Sequence, residues 1–169
     1  MSSFHLLFIG REFNLAQKIV HVKIGEVKVA RGEELLKATL GSCVGISFFD
    51  TKTSRCALAH CLLPASNGGY GIGAKYVNQA MDSLVALMKV RGREQSDFIV
   101  SYAGGANMMN QIAHNRDNEI GYKNLMKLKE ILSSYDFKVK ELDCGDHCGR
   151  QMSILSPTGE VQVMRLAEG

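Results

Sequence analysis

Two apolar runs flank a short polar cluster in the first third of the chain, and together they commit it to a β-hairpin. Gly41-Ser42-Cys43-Val44-Gly45-Ile46-Ser47-Phe48-Phe49 precedes the cluster and Arg55-Cys56-Ala57-Leu58-Ala59-His60-Cys61-Leu62-Leu63 follows it. Between them lies Asp50-Thr51-Lys52-Thr53-Ser54, rich in turn formers. Opposed residues in an antiparallel pair keep a constant index sum, so a turn centred on Thr51 and Lys52 sets Cys43 directly opposite His60. Opposed Cβ atoms stand about 4.5–5.5 Å apart, close enough for a thiol and an imidazole to act as nucleophile and base. A slip of one residue sends the two side chains to opposite faces.

Length admits one domain with a sizeable core: 169 residues, 46% apolar and 22% charged. A net charge of +3 is too small to argue for nucleic acid as a partner. Lys123, Lys127 and Lys129 alternate with apolar residues in a helical stretch and read as its solvated face. No run approaches the ~20 apolar residues of a membrane span, so no membrane insertion is expected. Phe4 to Gly10 is apolar but lacks the basic start and cleavage site of a signal peptide. Five cysteines without a secretory signal point to reduced thiols and a cytoplasmic protein.

Residues 1–18 read as a variable N-terminal extension and 19–169 as a single domain. His21 to Val29 alternates like a half-buried strand. Arg31-Gly32-Glu33-Glu34 is a polar turn before the hairpin, which ends at Pro64. Ala65 to Gly73 is a Gly-rich loop. Lys75 to Val90 and Glu119 to Ser134 carry apolar residues at helical spacing. Asp97 to Ala103 and Phe137 to Leu142 read as strands. Gln151 to Leu155 and Glu160 to Leu166 form a last hairpin around Ser156-Pro157-Thr158-Gly159. The sum is an α/β fold of the α+β type, a mixed and largely antiparallel sheet with helices packed on it.

Other chemistry-bearing groups carry weaker signals. Cys144-Gly145-Asp146-His147-Cys148, taken with Cys56 and Cys61, contains the donors of a zinc set. Cys56 and Cys61, however, lie on opposite faces of their strand, and no metal site is expected. Gly68-Gly69-Tyr70-Gly71-Ile72-Gly73 precedes a helix but misses the phosphate-loop spacings, and reads as a flexible loop near the site.

Leu40-Gly41-Ser42-Cys43-Val44-Gly45, followed by Ala59-His60 and Leu62-Leu63-Pro64, resembles the signature of the CheD family of chemoreceptor glutamine deamidases. Lys75-Tyr76-Val77, Ala103-Gly104-Gly105-Ala106-Asn107-Met108, Asn118-Glu119-Ile120-Gly121 and the segment Asp143 to Arg150 match in order, so the resemblance spans nearly the whole domain. It implies a CheD-like sandwich with a papain-like cysteine–histidine pairing. It further implies a cysteine amidohydrolase without metal or organic cofactor, acting on glutamine side chains of chemoreceptor cytoplasmic domains. Cys43 is then the nucleophile and His60 the base. Gly41, Ser42, Gly104 and Gly105 form the oxyanion and substrate loop. The family's third residue, an upstream threonine, has no counterpart at Lys37 or Ala38, and the role falls to Thr39 or to a backbone carbonyl. A CheC-type phosphatase is the implied regulator. The alternatives are a non-catalytic module that binds CheC or receptor, and a cysteine peptidase using the same pair.

Overall fold

The computed structural model describes residues 17–108 and 119–167. Among the described residues three layers stack: two α-helices, a five-stranded sheet and a four-stranded sheet. The chain runs β1 (Ile19–His21), β2 (Val27–Val29), β3 (Leu35–Leu40), β4 (Val44–Asp50), β5 (Cys56–Cys61), α1 (Val77–Leu87), β6 (Phe98–Gly104), α2 (Ile120–Leu132), β7 (Lys138–Cys144), β8 (Arg150–Leu155) and β9 (Glu160–Arg165). One sheet is ordered β2-β5-β4-β6-β7 and the other β1-β3-β8-β9. Each is mixed: β6 and β7 run parallel, as do β1 and β3, and the other pairs are antiparallel. Residues 1–16 of the expected N-terminal extension 1–18 lie outside the described residues.

The hairpin β4–β5 is the spine, and the two faces of its ladder follow from its alternating side chains. Val44, Ile46, Phe48, Ala57, Ala59 and Cys61 face the helices and join Val77, Met81, Leu84 and Leu128 in one core. Cys43, Cys56 and Leu58 face the second sheet, against Leu36, Ala38, Leu40, Met152 and Ile154. Phe48 is wholly buried, which is worth about 1.5–3 kcal/mol.

The hairpin register differs from the expected one by two residues. Gly45 pairs with His60 and Val44 with Cys61. The cause is a longer turn: the Asp50 N–H donates to the Arg55 carbonyl at 2.9 Å, leaving Thr51 to Ser54 as the loop. Ser54 takes the left-handed conformation that closes it, with φ 58°. A shift of two preserves the face, so Cys43 and His60 stay on the same side, as diagonal rather than direct neighbours.

The alternating stretch His21 to Val29 is not one strand. Its ends enter different sheets, β1 beside β3 and β2 beside β5. A turn at Lys23 to Glu26 joins them, with Gly25 at φ 83°. Alternation reports a half-buried strand but is blind to which sheet it joins. Strand β3, absent from the sequence reading, founds the second sheet. The Gly-rich loop is tied to α1: the Ser83 hydroxyl donates to the Gly73 carbonyl at 2.8 Å, and Gln79 Nε2 donates to the Gly71 carbonyl at 3.1 Å.

Candidate active site

Cys43 lies just ahead of β4, where the chain turns through Gly41 and Ser42 from one sheet into the other. Three backbone and side-chain contacts hold this turn. The Gly105 N–H donates to the Cys43 carbonyl at 2.8 Å and the Ala106 N–H to the Gly41 carbonyl at 3.0 Å. Asn124 Nδ2 donates to the carbonyls of Ser42 and Leu62, each at 3.1 Å. Asn124 is completely buried and stands among the apolar residues of the inner face of α2. It therefore pins the strand end bearing Cys43 to the strand end beyond His60. Two accepting carbonyls also determine which way its amide points.

Gly104 and Gly105 are required by this arrangement. Gly104 has φ 103°, and a Cβ there would stand 2.3 Å from the Cys43 carbonyl oxygen. A Cβ on Gly105 would stand 2.5 Å from the Leu125 side chain. The Gly105 N–H is already donated to Cys43. The structure thus places this pair directly behind the turn at 41–43.

His60 is 3% exposed and Cys43 6%. His60 Nδ1 lies 2.9 Å from the Val22 carbonyl oxygen. A carbonyl only accepts, so Nδ1 carries the proton and Nε2 keeps its lone pair. Nε2 is buried and has no hydrogen-bond partner among the described residues, Cys43 included. The backbone of His60 is gripped as well: its N–H donates to the Glu26 carbonyl at 3.0 Å, and its carbonyl accepts from the Gly25 N–H at 2.8 Å.

Burial governs the charge state of the pair. It pushes the Cys43 thiol above its ordinary value, partly offset by the residue's own backbone N–H. It pushes the His60 imidazole below 6.5, partly offset by the Val22 carbonyl and by the charge of Glu26. Both shifts favour the neutral thiol and the neutral imidazole over an ion pair. Cys61 lies on the helix side of the sheet, and Cys56 on the side facing the second sheet. Burial raises the Cys56 thiol to about 11 and the Cys144 thiol to about 12, so neither is a nucleophile at rest.

Thr39 does not join the pair. Leu36, Ala38 and Leu40 occupy the inner face of β3, and the two-residue period of the strand sends Thr39 to the exposed face. The group that orients His60 is the Val22 carbonyl, which no side-chain pattern could have revealed. Asn124 was likewise missed. Its signal was available: a polar residue in the middle of the apolar stripe of α2.

The segment Asp143 to Arg150 packs behind the turn at 41–43. Arg150 is fully buried beside Leu40 in the β3–β8 ladder, and its Nη2 donates to Asp143 Oδ1 at 3.0 Å. Arg165 reaches Asp143 Oδ2 at 2.7 Å and Asp146 Oδ2 at 2.9 Å. These guanidinium groups hold the Asp143 carboxyl well below the usual carboxylate range. The loop then meets the glycine turn, with the Gly145 N–H donating to the Gly104 carbonyl at 2.9 Å and the Asn107 N–H to the Asp146 carbonyl at 2.8 Å. No group of three or more His, Cys, Asp or Glu side chains among the described residues is arranged to hold a metal ion.

The chain is an α+β protein whose helix-covered sheet sandwich carries a buried thiol and a buried imidazole with an uncommitted nitrogen on one inner face. Comparison with known proteins narrows that class. The model of the CheD family, described as CheD chemotactic sensory transduction, matches residues 62–165. A protein of Archaeoglobus fulgidus named probable chemoreceptor glutamine deamidase CheD is 32% identical over 142 residues, 84% of this chain and 90% of the relative. Probable chemoreceptor glutamine deamidase CheD 2 of Ruegeria sp. is 30% identical, over 87% of this chain and 92% of its own. A protein of Symbiobacterium thermophilum, also named probable chemoreceptor glutamine deamidase CheD, is 31% identical, over 90% and 96%. This chain belongs to the CheD family. The family-model match begins just beyond His60, but a stretch of 142 residues cannot be laid on a chain of 169 without spanning both Cys43 and His60.

Proposed function

We propose that this protein deamidates glutamine side chains of chemoreceptor cytoplasmic domains, with Cys43 as nucleophile and His60 as base. The observation that carries the reading is the His60 tautomer: Nδ1–H is spent on the Val22 carbonyl, and Nε2 is left unpartnered on the sheet face it shares with Cys43. The relatives' names supply the substrate class.

His60 Nε2 takes the thiol proton as Cys43 Sγ bonds to the carboxamide carbon of the glutamine. The carbonyl electrons move onto oxygen, which backbone N–H groups at Ser42 and Cys43 stabilise. The oxyanion collapses, the C–N bond breaks, and the imidazolium gives its proton to the departing ammonia. A thioester and a neutral imidazole remain. The imidazole then deprotonates water, hydroxide adds to the thioester carbon, and Sγ leaves with the proton returned from His60. The products are glutamate and the free thiol.

The protein acts in the cytoplasm on this reading, and a CheC-type phosphatase is the regulator that the family resemblance adds. Among the described residues, no helix is long and apolar enough to cross a membrane. The exposed position of Thr39 favours one second reading, a binding module on a deamidase scaffold. Mass spectrometry of a chemoreceptor cytoplasmic fragment, incubated with the wild type and with Cys43→Ala, separates them. Conversion of defined glutamines to glutamate by the wild type alone supports the deamidase. No conversion, with receptor or CheC still bound, establishes the binding module.

A further inference from the structure

We propose that Glu26 is a positioning residue of the site, acting on His60 through the Val22–Lys23 peptide group. This rests on the reading of His60 as the base. The Val22 carbonyl that accepts the His60 Nδ1 proton and the Lys23 N–H belong to one peptide plane. The far side of that plane is held by Glu26: Oε2 accepts the Lys23 N–H at 2.9 Å. The order is therefore carboxylate, peptide, imidazole, with 2.9 Å at the second contact too. An anion accepting at the N–H end of a peptide polarises its carbonyl and makes it a stronger acceptor, as in any hydrogen-bonded chain. The peptide thus passes on the negative charge that a carboxylate touching the imidazole would supply directly.

Glu26 is also placed to hold the ring rigidly. Its N–H donates to the Lys23 carbonyl at 2.9 Å, closing the turn, and its own carbonyl accepts the His60 N–H. One residue therefore grips the backbone of the base and the peptide that orients its ring. The carboxylate is ionised at neutral pH, held low by the Lys23 N–H and by Lys28. Glu26 is the charged side chain that acts on His60, while burial keeps the Cys43 thiol of the same face protonated; Lys28 Nζ stands 3.2 Å from Glu26 Oε2. Lys28 partly cancels the charge of Glu26, so the two residues act on His60 in opposite senses.

The test is NMR titration of the imidazole signals of the full chain, with His60→Gln assigning the His60 resonance among the five histidines. Glu26→Gln keeps an oxygen for the Lys23 N–H but removes the charge. It lowers the His60 midpoint by about half a pH unit, and Lys28→Gln raises it. Opposed shifts confirm the inference. A midpoint unmoved in Glu26→Gln, or moved in the same direction by both variants, overturns it, because a purely structural role gives no such sign reversal. Turnover adds a second readout: the acid limb of kcat/KM moves to lower pH in Glu26→Gln while kcat falls on the plateau. The titration needs no turnover. Opposed shifts in a protein inactive on receptor fragments leave the inference standing and refute the deamidase reading alone.

Discussion

At the turn end of the β4–β5 ladder, Asp50 is fully buried and both its oxygens are occupied. Oδ1 accepts the Lys52 N–H at 3.0 Å and Arg93 Nη2 at 2.9 Å, while Oδ2 accepts the Thr53 hydroxyl at 2.6 Å and Arg93 Nη1. At the open end of the same ladder stand His60 Nε2, Asn124 Oδ1 and Arg150 Nε. These are the buried side-chain polar atoms without a hydrogen bond among the described residues, although Arg150 Nε keeps an ion-pair contact of 3.0 Å with Asp143. An unsatisfied buried polar atom costs about 1–3 kcal/mol. Such atoms gather around Cys43 and not around the turn, although both regions carry an Asp–Arg pair. The turn end is built for stability. The open end forgoes some of it and leaves a buried imidazole nitrogen uncommitted.

The largest effect that bears on this contrast is Cys43→Ala. It lowers turnover by about 10⁴-fold or more with little change in the urea midpoint. A variant that unfolds instead would make Cys43 a core residue and dissolve the distinction between the ends. Next comes Asp50→Ala, which leaves Arg93 without its partner. It costs roughly 2–4 kcal/mol in urea unfolding, with turnover per folded molecule unchanged. Asn124→Ala is the reverse case. It removes two hydrogen bonds to the strand ends, costing about 1–2 kcal/mol, but turnover drops by about 10²-fold because the nucleophile turn loosens. Equal kcat in the wild type and Asn124→Ala would show that the turn is held by Gly105 and Ala106 alone.

The smallest effect is set by pH. The folded His60 takes its proton at a pH below the ordinary 6.5, so the unfolded chain binds it first. Stability is whole above about 6.5 and is lost as pH falls toward the folded value, at up to about 1.4 kcal/mol per unit. Asp50 and Asp143, held well below their ordinary 3.8, contribute only on further acidification. The open end therefore weakens first. Urea midpoints measured from pH 7.5 to 5.5 should slope in the wild type and flatten in His60→Gln; an unchanged slope would assign the acid sensitivity elsewhere.

How much of this was legible in the sequence depends on what kind of group carried the information. Side chains with a period were readable. The two helices, the strand Phe98–Gly104 and the final hairpin lie within a few residues of expectation. The shared face of Cys43 and His60 survived a register error because the error was an even number of residues. Which main-chain groups meet was not readable: a backbone carbonyl was one candidate partner for His60, but nothing marked it as that of Val22. The split of residues 19–29 between two sheets depends on a turn whose only marker is Gly25, in a stretch that alternates without a break. Thr39 illustrates the same limit from the other side. It is a plausible residue type near the right position, but the sheet that decides its orientation is built from β8 and β9, more than a hundred residues away in the chain.

The Val22 carbonyl has a last consequence, for how this site drifts over evolutionary time and how it answers to mutagenesis. Every residue type supplies a main-chain carbonyl, so natural selection can exchange the side chain at position 22 for any that still fits between the sheets, and the contact to His60 persists. Alanine scanning passes over it in silence. Only changes to the covalent backbone expose it. Replacing the Val22–Lys23 amide by an ester, through semisynthesis, would delete the N–H held by Glu26 and weaken the carbonyl that faces His60 in a single atom's change.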